Sequence, residues 1–169
     1  MHALLLALAL SFSADAGMKG KIKKLSDAEF DHYYALRSYL TEDQKKAWLK
    51  LKTEDERNAW LQEAGHWDRF YKYDPETRDL IIAGKVELGW TKDMLEMSWG
   101  NPFDKQRLPG RQASRSELWI FRFEGHADGS ALLWEPNSKT QYKATRLFLR
   151  EVILDDDKIV DISEKNTSF

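Results

Sequence analysis

SELWIFRFEGHADGSALLW, residues 116–134, is the stretch where the chain changes its period. Leu118-Trp119-Ile120-Phe121-Arg122-Phe123 reads as a strand, Gly125-His126-Ala127-Asp128-Gly129 as a turn, and Ser130–Trp134 as a second short strand. Pro136-Asn137-Ser138 marks the next turn. Arg146–Leu154 then alternates, with Leu147, Leu149, Glu151 and Ile153 against Phe148, Arg150, Val152 and Leu154. Asp155-Asp156-Asp157-Lys158 turns the chain into Ile159–Ile162. Residues from about 117 to 163 therefore predict a small antiparallel β-meander.

Upstream of this stretch the period is helical. Ser26-Asp27-Ala28-Glu29 is a capping box, and Phe30, Tyr33, Tyr34, Arg37 and Leu40 follow near helical spacing. A helix over about 27–39 is expected, with the Arg37 stem long enough to snorkel. Thr41-Glu42-Asp43-Gln44 and Thr53-Glu54-Asp55-Glu56 then repeat a helix start, and each copy reaches Ala-Trp-Leu. On one straight helix Trp48 and Trp60 would stand about 120° apart. Two helices, about 42–51 and 54–72, let each turn its tryptophan inward. Asp74-Pro75 opens a helix at about 76–83 that ends at Gly84. Thr91 caps another at about 92–99, carrying Met94, Leu95 and Trp99 and stopped by Gly100 and Pro102. Residues 104–116 are polar and basic around Pro109-Gly110 and are expected to be a mobile loop. Helices followed by strands specify an α+β fold.

The 169 residues fit one domain, expected over 26–163, with 164–169 as a C-terminal tail. Apolar residues at 42% and charged residues at 32% are those of an ordinary globular chain. A net charge of −2 supplies no field to recruit nucleic acid or anionic lipid. Residues 1–16 differ from the rest. Ala3–Leu10 is an apolar run too short to span a bilayer, and Ala14-Asp15-Ala16 has the pattern of a signal-peptidase site. This predicts a signal peptide and a periplasmic or secreted protein, followed by a flexible lead-in at 17–25. The n-region, Met1-His2, lacks Lys and Arg, and the competing reading starts translation at Met18. No other segment approaches the length of a transmembrane helix. The chain has no cysteine, which removes disulfides, thiol nucleophiles, Cys-based metal sites and a lipid-bearing cysteine.

Catalytic patterns are sparse. The histidines, at 2, 32, 66 and 126, make no i, i+4 zinc pair, and Glu63, His66 and Asp68 are too few ligands for a metal site. Asp155-Asp156-Asp157 lacks the alternation and glycine of a calcium loop. There is no Gly-x-Ser-x-Gly and no glycine-rich phosphate loop, so no cofactor is expected. Carboxylates are abundant enough for a glycosidase pair, and exposed tryptophans could stack on sugar rings. Trp90, between a glycine and a helix cap, is the tryptophan most apt to be special; a buried plug is its plainer reading.

Gly89-Trp90-Thr91-Lys92-Asp93, Gly100-Asn101-Pro102 and Glu117-Leu118-Trp119-Ile120-Phe121 together resemble two known patterns. The first is the GWxTD-domain family of exported bacterial proteins, with Gly89, Trp90 and Asp93 in place and Lys92 at the family's threonine. The second is the SmpA/OmlA outer-membrane assembly lipoprotein family, whose core is similar to Gly89, Thr91, Gly100 and Pro102. The resemblance implies an envelope protein with a helix-plus-sheet fold that acts by binding, and it transfers no catalytic residue.

These readings converge on an exported binding or scaffold module with an envelope protein partner. Its expected contact residues are Trp90, Lys105, Arg107, Arg111, Arg115 and Trp119, without metal, cofactor or lipid anchor. The alternative is a glycan-binding or glycan-cleaving protein that uses exposed tryptophans and a carboxylate pair.

Overall fold

The structure, a computed structural model, describes residues 16–134 and 143–167. Residues 1–15 of the expected signal and the turn at Pro136-Asn137-Ser138 lie outside the described residues. Within the span expected as one domain, packing divides into two units. A helical unit runs to Val86 and resumes over Asp93–Asn101; a sheet unit takes Glu87–Lys92 and the chain from Pro102 onward.

The helices are α1 (Ala16–Ile22), α2 (Asp27–Leu36), α3 (Glu42–Trp48), α4 (Glu54–Glu63), α5 (Trp67–Tyr71), α6 (Pro75–Ile82) and α7 (Lys92–Trp99). The expected flexible lead-in is corrected by α1: Met18 and Ile22, one turn apart, are both buried, and that shared apolar face orders the segment. Capping boxes are formed at Ser26/Glu29, Thr41/Gln44 and Thr53/Glu56, so the repeat is two helix starts. The helix expected over 54–72 is two. Gly65 takes φ 71°, and the His66 amide donates back to the Leu61 carbonyl at 2.9 Å, closing α4 before α5 begins.

In the helical core Trp48 stacks on Tyr33 with ring centroids 6.0 Å apart, and its Nε1 donates to the Arg57 carbonyl at 3.1 Å. Glu29, 3% exposed, accepts from Arg57 Nε at 2.5 Å. Burial works to raise the Glu29 carboxyl; the Ser26 amide and Arg57 hold it below its ordinary value. Arg37 does not snorkel. It is 9% exposed and donates to the carbonyls of Met97 at 3.1 Å and Ser98 at 3.2 Å, so its charge closes the C-terminal end of α7. Gly100, at φ 81°, leaves room there: a Cβ at this position would meet Arg37 Nη2 at 3.3 Å.

The strands are β1 (Asp104–Arg107), β2 (Ser116–Gly125), β3 (Ala131–Leu133), β4 (Arg146–Asp155) and β5 (Lys158–Thr167). All pairings are antiparallel, in the order β1-β2-β4-β5. β3 pairs with β2 over Phe123–Gly125, on the edge that β1 takes over Glu117–Ile120, because both flanks of Ser116–Ile120 are already occupied. Helices lead and strands follow, an α+β arrangement.

Two expectations change. The segment 104–116 opens with a strand, since Asp104–Arg107 pairs with Glu117–Ile120. The tail at 164–169 is strand through Thr167, because Leu147–Arg150 of β4 extends far enough to pair with it. Trp119, Phe121, Phe123, Phe148, Val152 and Leu154 are buried, matching one of the two alternating faces. Asp156 and Asp157 turn the β4–β5 hairpin at φ 46° and 63°, the left-handed pair that a two-residue hairpin loop needs. Glu87–Lys92 joins β5 from its other side. The Gly89 amide donates to the Ile159 carbonyl, and the Ile159 amide to the Trp90 carbonyl, each at 2.8 Å.

Candidate functional site

The basic residues expected to make contacts lie on β1 and the loop that follows it. Lys105, Arg107, Arg111 and Arg115 are all exposed. The loop is fastened to the β4–β5 turn by side-chain and backbone bonds. Arg111 grips Asp155 through Nε at 2.9 Å and Nη2 at 2.7 Å, while Ser116 Oγ donates to the same carboxylate at 2.6 Å. The Arg115 amide donates to Asp156 Oδ1 at 2.9 Å, and the Asp156 amide returns a bond to the Arg115 carbonyl at 2.8 Å. These bonds draw the loop onto the β4–β5 turn. Its concave side is a cleft of about 640 Å³ lined by Arg107, Leu108, Pro109, Arg111 and Arg115 among others.

Charge in this region is partly neutralised. Arg115 holds Glu117 at 2.7 Å, and Lys92 Nζ lies 3.4 Å from the other oxygen. Burial works to raise the Glu117 carboxyl, but Arg115, the Trp119 indole and Lys92 bring it below its ordinary range. Arg107 carries no ion pair among the described residues. The two expected aromatic contacts are placed differently. Trp90 is 8% exposed and Trp119 is 0% exposed. Lys105 Nζ covers the Trp119 ring at 4.0 Å and Lys92 Nζ lies 4.9 Å from its centroid. Both indoles therefore act as internal supports, and only the cations reach solvent.

The helical unit holds a second cleft that sequence reasoning missed. It measures about 180 Å³ and is lined by Ala28, Asp31 and His32 of α2, Phe70 and Tyr71 of α5, and Pro75, Arg78, Asp79 and Ile82 at α6. His32 is 2% exposed; its Nε2 sits 2.6 Å from the Tyr71 hydroxyl, and its Nδ1 has no hydrogen-bond partner. Trp67 stacks on Tyr71 at 4.2 Å, and the Arg78 guanidinium carbon lies 4.6 Å from the Tyr71 centroid. Burial lowers the His32 imidazole to about 4, against the pull of Glu29 and with Arg78 assisting, so the ring is neutral at pH 7. Burial, Asp27 and Asp79 push the Asp31 carboxyl up to about 6. Only the α2 share of this cleft was legible in sequence: Ala28, Asp31 and His32 share a helical face.

Asp93 is the last residue of the Gly89–Asp93 motif. It accepts from Tyr39 Oη at 2.8 Å, Arg69 Nη1 at 2.5 Å, Lys72 Nζ at 2.7 Å and Tyr73 Oη at 3.2 Å. Burial works against its charge, and these donors hold it below the ordinary carboxylate range. With two cations and two phenols fixing both oxygens, its role is structural.

None of the seven tryptophans is exposed: Trp48, Trp90, Trp99 and Trp119 are buried, and Trp60, Trp67 and Trp134 are half-buried. Among the described residues no group of His, Cys, Asp and Glu could hold a metal ion, and no helix is long and apolar enough to cross a membrane. Compared with known proteins, the chain matches no family model, no curated protein and no solved structure.

Proposed function

We propose that this chain is an exported binding module of the bacterial envelope that meets an acidic protein partner through β1 and the fastened loop. The observation that carries this reading is the gathering of Arg107, Arg111 and Arg115 around one cleft, with Arg107 unpaired among the described residues and the exposed Lys105 two residues before it on β1. A loop already held by Asp155 and Asp156 loses little conformational freedom on binding, which favours its use as a contact surface. Arg107 stands on an edge strand, so an extended acidic segment could add beside β1 while its carboxylates meet the guanidinium groups. The apolar run and Ala14-Asp15-Ala16 support export, and the resemblance of Gly89–Asp93 and Gly100–Pro102 to envelope families supports the compartment.

Chemical crosslinking of intact envelopes followed by capture of the chain tests the reading. The wild type should recover a protein partner, and the pair Lys105→Glu with Arg107→Glu should lose it while the circular dichroism spectrum is unchanged. Recovery of no partner, or equal recovery by the charge-reversed pair, refutes the reading. Sequencing the native N-terminus tests export separately: a terminus at Gly17 is expected, and one at Met1 or Met18 excludes signal cleavage.

A further inference from the structure

The cleft between α2, α5 and α6 has the composition of a ligand site. Its walls are apolar at Ala28, Phe70, Pro75 and Ile82, and its charges are of both signs: Asp31 and Asp79 against Arg78. None of these three charged side chains has a salt bridge or hydrogen bond to another side chain among the described residues; Arg78 rests only on the rings of Tyr71 at 4.6 Å and Phe70 at 5.7 Å. Unpaired opposite charges around one apolar hollow leave two electrostatic demands open at once. His32, buried in the same wall, marks the hollow independently, since its Nδ1 lacks a partner where buried polar atoms normally have one.

A simple cation would satisfy the two aspartates but crowd Arg78. A simple anion would satisfy Arg78 but face both aspartates. A molecule with an ammonium at one end and a carboxylate at the other meets both demands. The cleft's size narrows the class: about 180 Å³ is well under the ~300 Å³ at which pockets for drug-sized molecules begin. We infer that this cleft binds a small zwitterion of the α-amino acid type, its ammonium between Asp31 and Asp79, its carboxylate on Arg78 and its short side chain against Phe70 and Ile82. The elevated Asp31 carboxyl agrees with this assignment: burial raises it most, and the negative field of Asp27 and Asp79 that adds to burial is what an ammonium would relieve.

The test uses the full chain and three probes that differ by one group each. α-Aminoisobutyrate carries both charges and is achiral; isobutyrate lacks the ammonium; isopropylammonium lacks the carboxylate. Chemical-shift titration should show α-aminoisobutyrate perturbing α2, α5 and α6, with each single-charge probe weaker by about tenfold or more. Asp31→Asn should weaken α-aminoisobutyrate by about tenfold. Arg78→Gln should do the same while leaving isopropylammonium unchanged or tighter. Ala28→Phe, at an exposed helix position, should block the hollow and abolish all binding with the fold intact. Equal affinity for the three probes, no binding of α-aminoisobutyrate, or full affinity in Ala28→Phe overturns the inference.

Discussion

Replacing Asp31 with asparagine should stabilise the helical unit at neutral pH, although it removes a charge from a partly exposed position. The Asp31 carboxyl rises from 3.8 to about 6 on folding. A raised acid holds its proton more tightly in the folded state, so its ionisation costs stability above pH 6, and the cost disappears as pH falls towards the unfolded value. About two pKa units at 1.36 kcal/mol each set an upper figure of about 3 kcal/mol. Contact with water reduces that to about 1–2 kcal/mol. His32 has the opposite sign. Its imidazole falls from 6.5 to about 4, so its contribution is complete above pH 6.5 and is lost as pH falls towards 4. The full loss is about 3 kcal/mol. The groups facing the pair are Asp27 and Glu29 on the α2 side, Tyr71 on α5, and Arg78 and Asp79 on α6. Between about pH 6 and 4 the two slopes oppose each other, and the wild type should lose only about 1–2 kcal/mol from this pair. Asp31→Asn keeps only the histidine slope. Urea unfolding followed by far-UV circular dichroism at about pH 7, 5 and 4 measures both effects. The variant should be about 1–2 kcal/mol more stable than wild type at neutral pH and lose about 3 kcal/mol by pH 4. A variant less stable than wild type at neutral pH, or one whose stability stays level down to pH 4, refutes the reasoning.

Three further outcomes are expected. Asp93→Asn should cost about 2–3 kcal/mol in the same urea experiment, because Arg69, Lys72 and two phenols lose a charged acceptor; since folding holds this carboxyl low, the wild type should also lose that contribution as pH falls below the ordinary aspartate range. Gly100→Ala should cost about 1–2 kcal/mol, combining left-handed backbone with crowding of Arg37, and Gly110→Ala, whose Cβ would meet nothing within 4 Å, should cost less. Trp119→Ala should cost about 3–5 kcal/mol in urea melts, and a cost under about 1 kcal/mol would show that the indole is not the interior support described.

The sequence announced elements by their own chemistry. Ser26, Thr41 and Thr53 each advertised a helix start because a capping box is local, needing only residues three apart. The alternation in Arg146–Leu154 was legible because one face of β4 is buried. β1 was not legible: Asp104-Lys105-Gln106-Arg107 is an edge strand with no buried face, and only its ladder to β2 makes it a strand. The fate of Arg37 was hidden for a related reason, since the carbonyls it meets lie about sixty residues away at the end of α7. Of the expected contact residues, the cations were found at the surface and the two indoles were not. The aromatic cleft escaped because Asp31, Tyr71 and Arg78 sit on three helices, a grouping that no short motif encodes.

The segment Glu87–Lys92 leaves the helical run to bond with Ile159 and Asp157, and the chain then goes back for Asp93–Asn101. Among the described residues the backbone therefore passes between its two packing groups three times. A gene fragment stopping at Asn101 would strand Gly89 and Trp90 without their acceptor and donor, and one starting at Pro102 would leave one flank of Ile159 bare. Neither half is a portable cassette, so a cut between Asn101 and Pro102 should yield pieces that need each other to refold.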